Sequence, residues 1–595
     1  MPVIAQRGLF AGPDGVIGKD LYVQVVSGGA RRERTTLTLE SASKVSGNTY
    51  FGRFPASYWQ RWTTAGVVEV GLEAAGSGTV SLLASDFEGE PRVVAARVVD
   101  GGPISLVAPL DRFVDGGALW LDWETEPGQR LVVRDVRWTV PAAERSRPTV
   151  VTICTMNRPA DCLATLTAIA DDDLAQATVH AVYVVDQGTD PVPAEGVLPP
   201  GKLRYLRQPN LGGAGGFTRG LYEVDGENVN MLFMDDDIVL EPDLLVRMTA
   251  FSASTAEPLI LGGQMLNLLH PTRLHAAAEY TDLDGIRPGM PIRHSLHAVD
   301  LLATDPATGR PYRQEFRVDA GYNGWWACLI PYEVVKETGY PLPLFFQGDD
   351  AEYSYRARAH GFPTVTLPGA GLWHTDFPWK DSDELNRYFI LRNYTIISAL
   401  HGDFPVLKIA GTLLAELIPS LLGMRYGAAA TLIQAVSDFL DGPDILRDGG
   451  VAALARIREV RSRHPETVAH PPTAVPGLAS NDIAISEPSV FDRLALGPLL
   501  GVHRLALGSV PVSEADWWRV GALRTAVVTD ASQRGVRVRT YDRAHLVRLA
   551  YQGARVLTRF IRDGAAVRER YRAALPRLTS RDAWTGLFSD EGLIP

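Results

Sequence analysis

Over residues 1–145 apolar and polar positions alternate in short runs broken by Gly, Asp and Pro, the pattern of half-buried strands. Val132, Arg134, Val136 and Trp138 show the period of two, with one charge tolerated on the shared face near an edge. Gly101-Gly102 and Gly116-Gly117 mark turns. Such strands bury their apolar faces by packing sheet on sheet, so a β-sandwich is expected. Pro141 to Pro148 reads as a linker.

From Thr149 the pattern changes. Val150, Val151, Ile153 and Cys154 form a continuous apolar strand, expected where helices cover both faces of a parallel sheet. A helical stretch over Ala160 to Ala170 follows, then a strand from Ala181 to Val185 that ends in Asp186. Next come a strand at Arg204 to Leu206, a Gly-rich turn, a helix over Phe217 to Glu223 and a strand over Met231 to Met234. This alternation predicts an α/β domain with a mainly parallel sheet. Beyond about residue 400 the strand pattern stops. Leu546, Leu549, Ala550, Leu557, Phe560, Ile561 and Val567 recur at helical spacing, opposite Arg548, Arg555, Arg559, Arg562 and Arg568. His464 to Pro488 reads as an extended connector. Three domains follow: a β-sandwich over residues 1–146, the α/β domain over 147–400, and a mainly α-helical region over 401–595.

Composition narrows the class. The chain is 46% apolar and 21% charged, which allows a large core, and its net charge is -11. That charge argues against a general nucleic-acid binder, which needs an excess of Lys and Arg. Cys154, Cys162 and Cys328 make neither a disulfide framework nor a zinc site, so a reducing cytosol is the simplest compartment. Met1 to Ala11 lacks the pattern of a signal peptide. The longest apolar stretch, Val406 to Met424, is interrupted by Lys408 and Glu416, so no membrane span is expected.

The chemistry concentrates at strand ends, where open α/β sheets bind ligands. The strand over Met231 to Met234 gives way abruptly to Asp235-Asp236-Asp237. Such a triplet can cap a helix. At the end of a buried strand the charges repel and favour a divalent cation, which also neutralises a donor diphosphate. The glycine run Gly212 to Gly216 reads equally as a phosphate approach or a tight turn. Arg158 is either a surface arginine or a diphosphate contact. Trp325-Trp326, after Tyr322, Asn323 and Gly324, read as core or as an aromatic platform for a sugar. Asp349-Asp350 after an apolar run offers a general base. His374, just past the strand over Thr364 to Leu367, is either a structural histidine or a further metal ligand.

Longer strings carry a resemblance. They are Phe54 to Trp59, Arg61 to Thr64, Asn157 to Cys162, Gln208 to Gly216, Phe233 to Ile238, Gly262 to Asn267, Tyr322 to Trp326 and Pro363 to Ala370. With Asp350 and His374 they resemble family 2 glycosyltransferases of the GT-A (Rossmann-like) fold. They are most similar to the polymerising galactofuranosyltransferases of mycobacterial-type cell-wall galactan. The resemblance implies a cytosolic enzyme at the inner membrane face, a UDP-galactofuranose donor and a lipid-linked galactan acceptor. It also implies inverting displacement and a homotetramer. By motif, Asp235, Asp237 and His374 would hold Mn2+ or Mg2+. Arg158, Asp186, Asn210, Gly213, Asp235 and Asp236 would contact the nucleotide sugar. Asp350, beside Asp349, would be the base. Tyr322, Trp325 and Trp326 would line the acceptor side, with His275 and Glu279 near the reacting sugar. The chain departs from that family at Gln347-Gly348, where the relatives carry Lys-Trp, and over Phe377 to Lys380.

Galactofuranosyl transfer to a cell-wall glycan is therefore the expected activity. Alternatives are the same fold with UDP-galactopyranose or a nucleotide-linked rhamnose, an inactive carbohydrate-binding protein, and a glycoside hydrolase, which has no use for a metal triad. The arginine-lined helix reads first as a solvated face or subunit contact and second as a contact for anionic lipid headgroups.

Overall fold

The computed structural model describes residues 2–13, 18–143, 145–379, 385–472, 501, 503 and 505–589. The first unit is a nine-stranded antiparallel sheet. Its spine is a pair of 18-residue strands, β1 (Val67–Ala84) and β2 (Arg92–Pro109), paired along their lengths. On its other side β1 pairs first with β4 (Leu131–Val140) and then with β3 (Leu119–Glu124). Two stacked sheets are expected from the strand pattern. The long spine instead links all nine strands into one hydrogen-bonded sheet, with register shifts between Ala74 and Ser77 and between Leu82 and Leu83.

The alternation in β4 also differs from the simple reading. Val133, Val136 and Trp138 are buried, whereas Arg134 and Asp135 are exposed. Asp135 takes a φ of 51°, and the register against β1 slips there. This bulge moves the inward face from odd to even positions.

The second unit is a ten-stranded mixed sheet. Its parallel part comprises β5 (Thr149–Thr155), β6 (Ala181–Asp186), β7 (Leu203–Arg207) and β8 (Asn230–Asp235), in the order β7-β6-β5-β8. Register sets Thr155 opposite Asp186 and Cys154 opposite Asp235, so the polar strand ends share one edge. Two more parallel strands, β10 (Ile260–Asn267) and β12 (Thr364–His374), pair along their lengths. The short β9 (Ile238–Val239) pairs antiparallel with the end of β12, and β11 (Ala327–Ile330) lies between β8 and β10.

The glycine run is not a turn. Gly212 to Gly216 form the opening turns of helix α1 (Gly212–Glu223). The glycines let this helix lie directly on β5. A Cβ at Gly216 would fall 2.1 Å from Cys154 Sγ, and one at Gly220 2.2 Å from Thr152 Oγ1. Both approaches are too short for any side chain.

Helix α2 (Asp349–Ala359) precedes β12, and after that strand come α3 (Asn386–His401), α4 (Val406–Leu422) and α5 (Tyr426–Asp441). These helices share one core with Leu342, Leu344 and Phe345. Strands do not stop at residue 400: Leu505–Val510, Leu523–Thr529 and Val536–Thr540 form a small three-stranded sheet. Its runs are short and interrupted by charge, and the helical signal around them masks them. The expected connector ends outside the described residues, from position 473 onward.

The arginine-rich helix α6 (Arg543–Leu578) turns four of its arginines to the ends of neighbouring helices. Arg568 and Arg572 donate to carbonyls at the end of α3, at Ala399 and Gly402. Arg559 and Arg570 do the same at the end of α5, at Leu440 and Asp441. Cations there satisfy orphan carbonyls and complement the helix dipole. Among the described residues no helix is long and apolar enough to cross a membrane.

Buried ion networks join the first sheet to the second unit. Asp243, fully buried, receives Arg7 Nε at 2.8 Å and Arg247 Nε at 2.7 Å. Glu241 accepts from Tyr22 at 2.5 Å and from Arg34 Nη1 at 2.8 Å. Arg53 and Ser85 hold Glu315, with Arg53 Nη1 at 2.6 Å. The linker is tied down too, since Arg145 and Arg147 both pair with Glu333. Removing Asp243 leaves the buried Arg247 without its carboxylate and Arg7 with Asp172 alone. Asp243→Ala is expected to cost roughly 3–5 kcal/mol, read as a lower denaturant midpoint. A loss below about 1 kcal/mol, the range of exposed pairs, would contradict this arrangement.

Candidate active site

Pairing of β9 with β12 sets Ile238 opposite His374, and so swings the imidazole over the acidic triplet. His374 Nε2 lies 3.1 Å from Asp237 Oδ1 and 3.8 Å from Asp235 Oδ2. One ligand atom from each of the three residues falls within 4.8 Å of the others. The other imidazole nitrogen, Nδ1, is 2.8 Å from the Thr375 carbonyl. Donation there fixes the tautomer and turns the Nε2 lone pair toward the carboxylates, as metal-binding histidines require. Two carboxylate oxygens and one imidazole suit a hard or borderline divalent ion with open positions left over.

Asp236 points the other way. It is buried, accepts from Thr155 Oγ1 at 2.7 Å and pairs with Arg158 Nη1 at 3.0 Å. Burial pushes its carboxyl up, against the pull of Arg158 and Thr155. The same Arg158 nitrogen is 3.0 Å from Asp237 Oδ2, and its side chain remains 48% exposed. The arginine thus bridges the triplet and still faces the cleft.

The acid pair opens α2. Asp349 lies against the start of α1, where a Cβ at Gly213 would be 3.6 Å from Asp349 Oδ2. Burial first, then repulsion from Asp235, raises the Asp349 carboxyl. Burial first, then Asp349, Glu279 and Asp235, raises Asp350. A crowded, dry carboxylate holds a proton more tightly, which is what a general base needs. Below the pair, Glu352 is fully buried and bonds Arg356 and His401, anchoring α2 to α3.

The facing wall comes from three segments. Asp235 N lies 3.4 Å from the Trp326 carbonyl, which sets Trp326 beside the metal ligands. Its indole donates to the Gly263 carbonyl at 2.9 Å, and its ring edge meets His275 at 6.2 Å. His275 Nε2 is 3.3 Å from Glu279 Oε1, with His297 Nε2 at 3.9 Å. Tyr322 is buried among Glu279, Asp350 and Tyr394, and its oxygen accepts from the Gly289 amide at 3.1 Å. Trp325 does not join them. It is 5% exposed and packs on Phe233 at 4.9 Å and Phe217 at 5.4 Å, so it is core. Adjacent residues entering a strand point to opposite faces, so only one of the two tryptophans reaches the cleft.

Asp186 and Asn210 organise the loops at the ends of β6 and β7. Asp186 is fully buried and accepts from Arg207 and the Gly188 amide, each at 2.8 Å, and from Tyr205. Asn210 Oδ1 accepts from the Gly212 amide at 3.0 Å. Sequence reasoning missed Gln187, which accepts from the Leu211 amide at 2.8 Å and donates to the Gly212 carbonyl at 2.9 Å. It also missed His297 and Tyr394, whose places come from strand pairing and helix packing. Only Gln187 had a local signal, as the neighbour of Asp186 at a strand end. Lys380 lies outside the described residues.

The chain is similar in sequence to known proteins. Residues 147–393 match the model of glycosyltransferase-like family 2. Residues 19–141 match the galactofuranosyltransferase 2 N-terminal model, and residues 503–590 match domain 3 of galactofuranosyltransferase-2. Galactofuranosyltransferase GlfT2 of Mycolicibacterium smegmatis is 36% identical, over 96% of this chain and 94% of its own length. Galactofuranosyltransferase GlfT2 of Mycobacterium tuberculosis is 34% identical, over 95% and 94%. Among solved structures, S. aureus TarS aligns at 15% identity and a TM-score of 0.30, covering 53% of this chain and 54% of its own. With relatives this similar over nearly their whole length, and a metal triad facing an acid pair across a nucleotide-type fold, the chain belongs to the galactofuranosyltransferases of glycosyltransferase family 2.

Proposed function

We propose that the chain transfers galactofuranose from UDP-galactofuranose to a galactan-type, lipid-linked acceptor, with inversion at the anomeric carbon. The observation that carries this reading is the placement of Asp235, Asp237 and His374 within one ligand sphere, next to the buried Asp349-Asp350 pair. The names of the relatives support the sugar.

Asp235, Asp237 and His374 would hold Mn2+ or Mg2+, which supplies charge neutralisation for the diphosphate of the donor. Arg158 adds a fixed positive charge at the same place. Asp186, Asn210 and Gly213 shape the loop that receives the nucleotide. On the opposite side Trp326, Tyr322, His275 and Glu279 hold the acceptor. Asp350 takes the proton of the incoming hydroxyl. That oxygen bonds the anomeric carbon as the bond from this carbon to the UDP oxygen breaks, and UDP leaves with the electron pair. Direct displacement needs one base and one stabilised leaving group, and this site pairs the two.

A peripheral membrane contact and a homo-oligomer complete the reading. Leu407, Leu414 and Ile418 on α4, with Val547, Tyr551 and Ile561 on α6, are exposed apolar side chains next to the arginine face, a composition suited to either.

Three outcomes test the reading. With a short synthetic galactofuranoside primer, transfer is expected from UDP-galactofuranose and not from UDP-galactopyranose or a nucleotide-linked rhamnose; transfer only from one of the latter would replace the donor. Asp350→Asn is expected to lower kcat by about 10²–10⁴-fold while UDP binding stays intact. Unchanged turnover would remove Asp350 from the base role. His374→Ala is expected to weaken Mn2+ binding at least about tenfold in a calorimetric titration. Equal affinity in the variant would take His374 out of the metal site.

A further inference from the structure

The segment leading into the acid pair has an unusual backbone. Phe345, Gln347 and Gly348 have φ values of 73°, 69° and 83°. Side chains bearing a Cβ rarely adopt this left-handed region, and such conformations persist only where the surroundings impose them. The next two residues are Asp349 and Asp350, so the path of this loop decides where the base points.

The surroundings that impose it come from α3. Asn393 and Arg392 are both fully buried. Asn393 Nδ2 donates to the Gln347 carbonyl at 2.7 Å and to the Phe346 carbonyl at 2.9 Å, and lies 3.3 Å from that of Leu344. Arg392 Nη2 donates to the Leu344 carbonyl at 2.8 Å, and Arg392 Nε holds Asn393 Oδ1 at 2.8 Å, fixing which end of the amide faces the loop. On the other side the Ala214 amide donates to the Phe345 carbonyl at 3.1 Å. That approach depends on Gly212, where a Cβ would fall 1.9 Å from the same oxygen. The loop is thus clamped between the donor-side helix and α3, and a single amide group gathers its carbonyls.

We propose that Asn393 is a positioning residue for the transfer step: by holding residues 344–347 it sets the reach of Asp350 toward the acceptor hydroxyl. This rests on Asp350 as the base. A buried asparagine that only fills its place in the core would affect stability alone. A positioning residue affects kcat and leaves the donor site as it was.

Asn393→Asp keeps the shape but turns a donor into an acceptor facing other acceptors. Asn393→Ala removes the group without adding charge. In the full-length enzyme each is expected to lower kcat about 100-fold, the cost of a displacement near 1 Å. UDP affinity and the KM for the donor should stay within about threefold of wild type. In the Asn393→Ala background, Gln347→Gly is expected to recover about tenfold in kcat, because glycine takes a positive φ without strain. The proposal is overturned if either single variant keeps kcat within about threefold, if UDP binding is lost together with kcat, or if Gln347→Gly restores nothing. Turnover by Asp350→Asn separates the two ideas. If that variant is active, the base reading falls and takes this one with it. If it is inactive while Asn393→Asp turns over normally, only the role of Asn393 falls.

Discussion

Repulsion among carboxylates is the constraint around which this site is built. Asp235, Asp236, Asp237, Asp349, Asp350 and Glu279 converge at one edge of a buried sheet, close enough that several raise one another's proton affinity. Left alone they would drive the strand ends apart. The fold answers with Arg158 across the triplet, His374 set over it by the β9–β12 pairing, and a ligand sphere shaped for a divalent ion. Among the described residues the acid pair has no cationic partner, only backbone amides, and burial with mutual repulsion raises both carboxyls. Stability and reactivity here are two results of one electrostatic arrangement.

Much of this was legible because it is local. The continuous apolar run of β5 and the sudden acids after Met234 both lie within single stretches of chain, and burial and period read them directly. His374 was legible as a candidate because it also ends a strand. What brings it to the triplet is a two-residue pairing, Ile238 with His374, too short to leave a pattern.

The misread parts are those decided by tertiary contact. Gly212 to Gly216 look like a turn because glycine is a poor helix former, yet close packing on Cys154 and Thr152 outweighs that preference. Trp325 and Trp326 have the same composition around them and opposite fates, which only strand direction separates. The bulge at Asp135 inverts the face of β4 partway along, so a fixed period of two fails. Asn393 carries no signal at all: it lies in the middle of a helix, 43 residues beyond Asp350, and its partners are backbone carbonyls whose sequence is immaterial.

The ion networks at Asp243, Glu241 and Glu315 have one more consequence. They bolt the N-terminal sheet to the transferase unit at three separate points, with the acids almost wholly enclosed. Hinge motion between the two would have to break all three clusters at once and strip their acids of cationic partners, so the sheet is fastened as a fixed part of the molecule rather than as a lid.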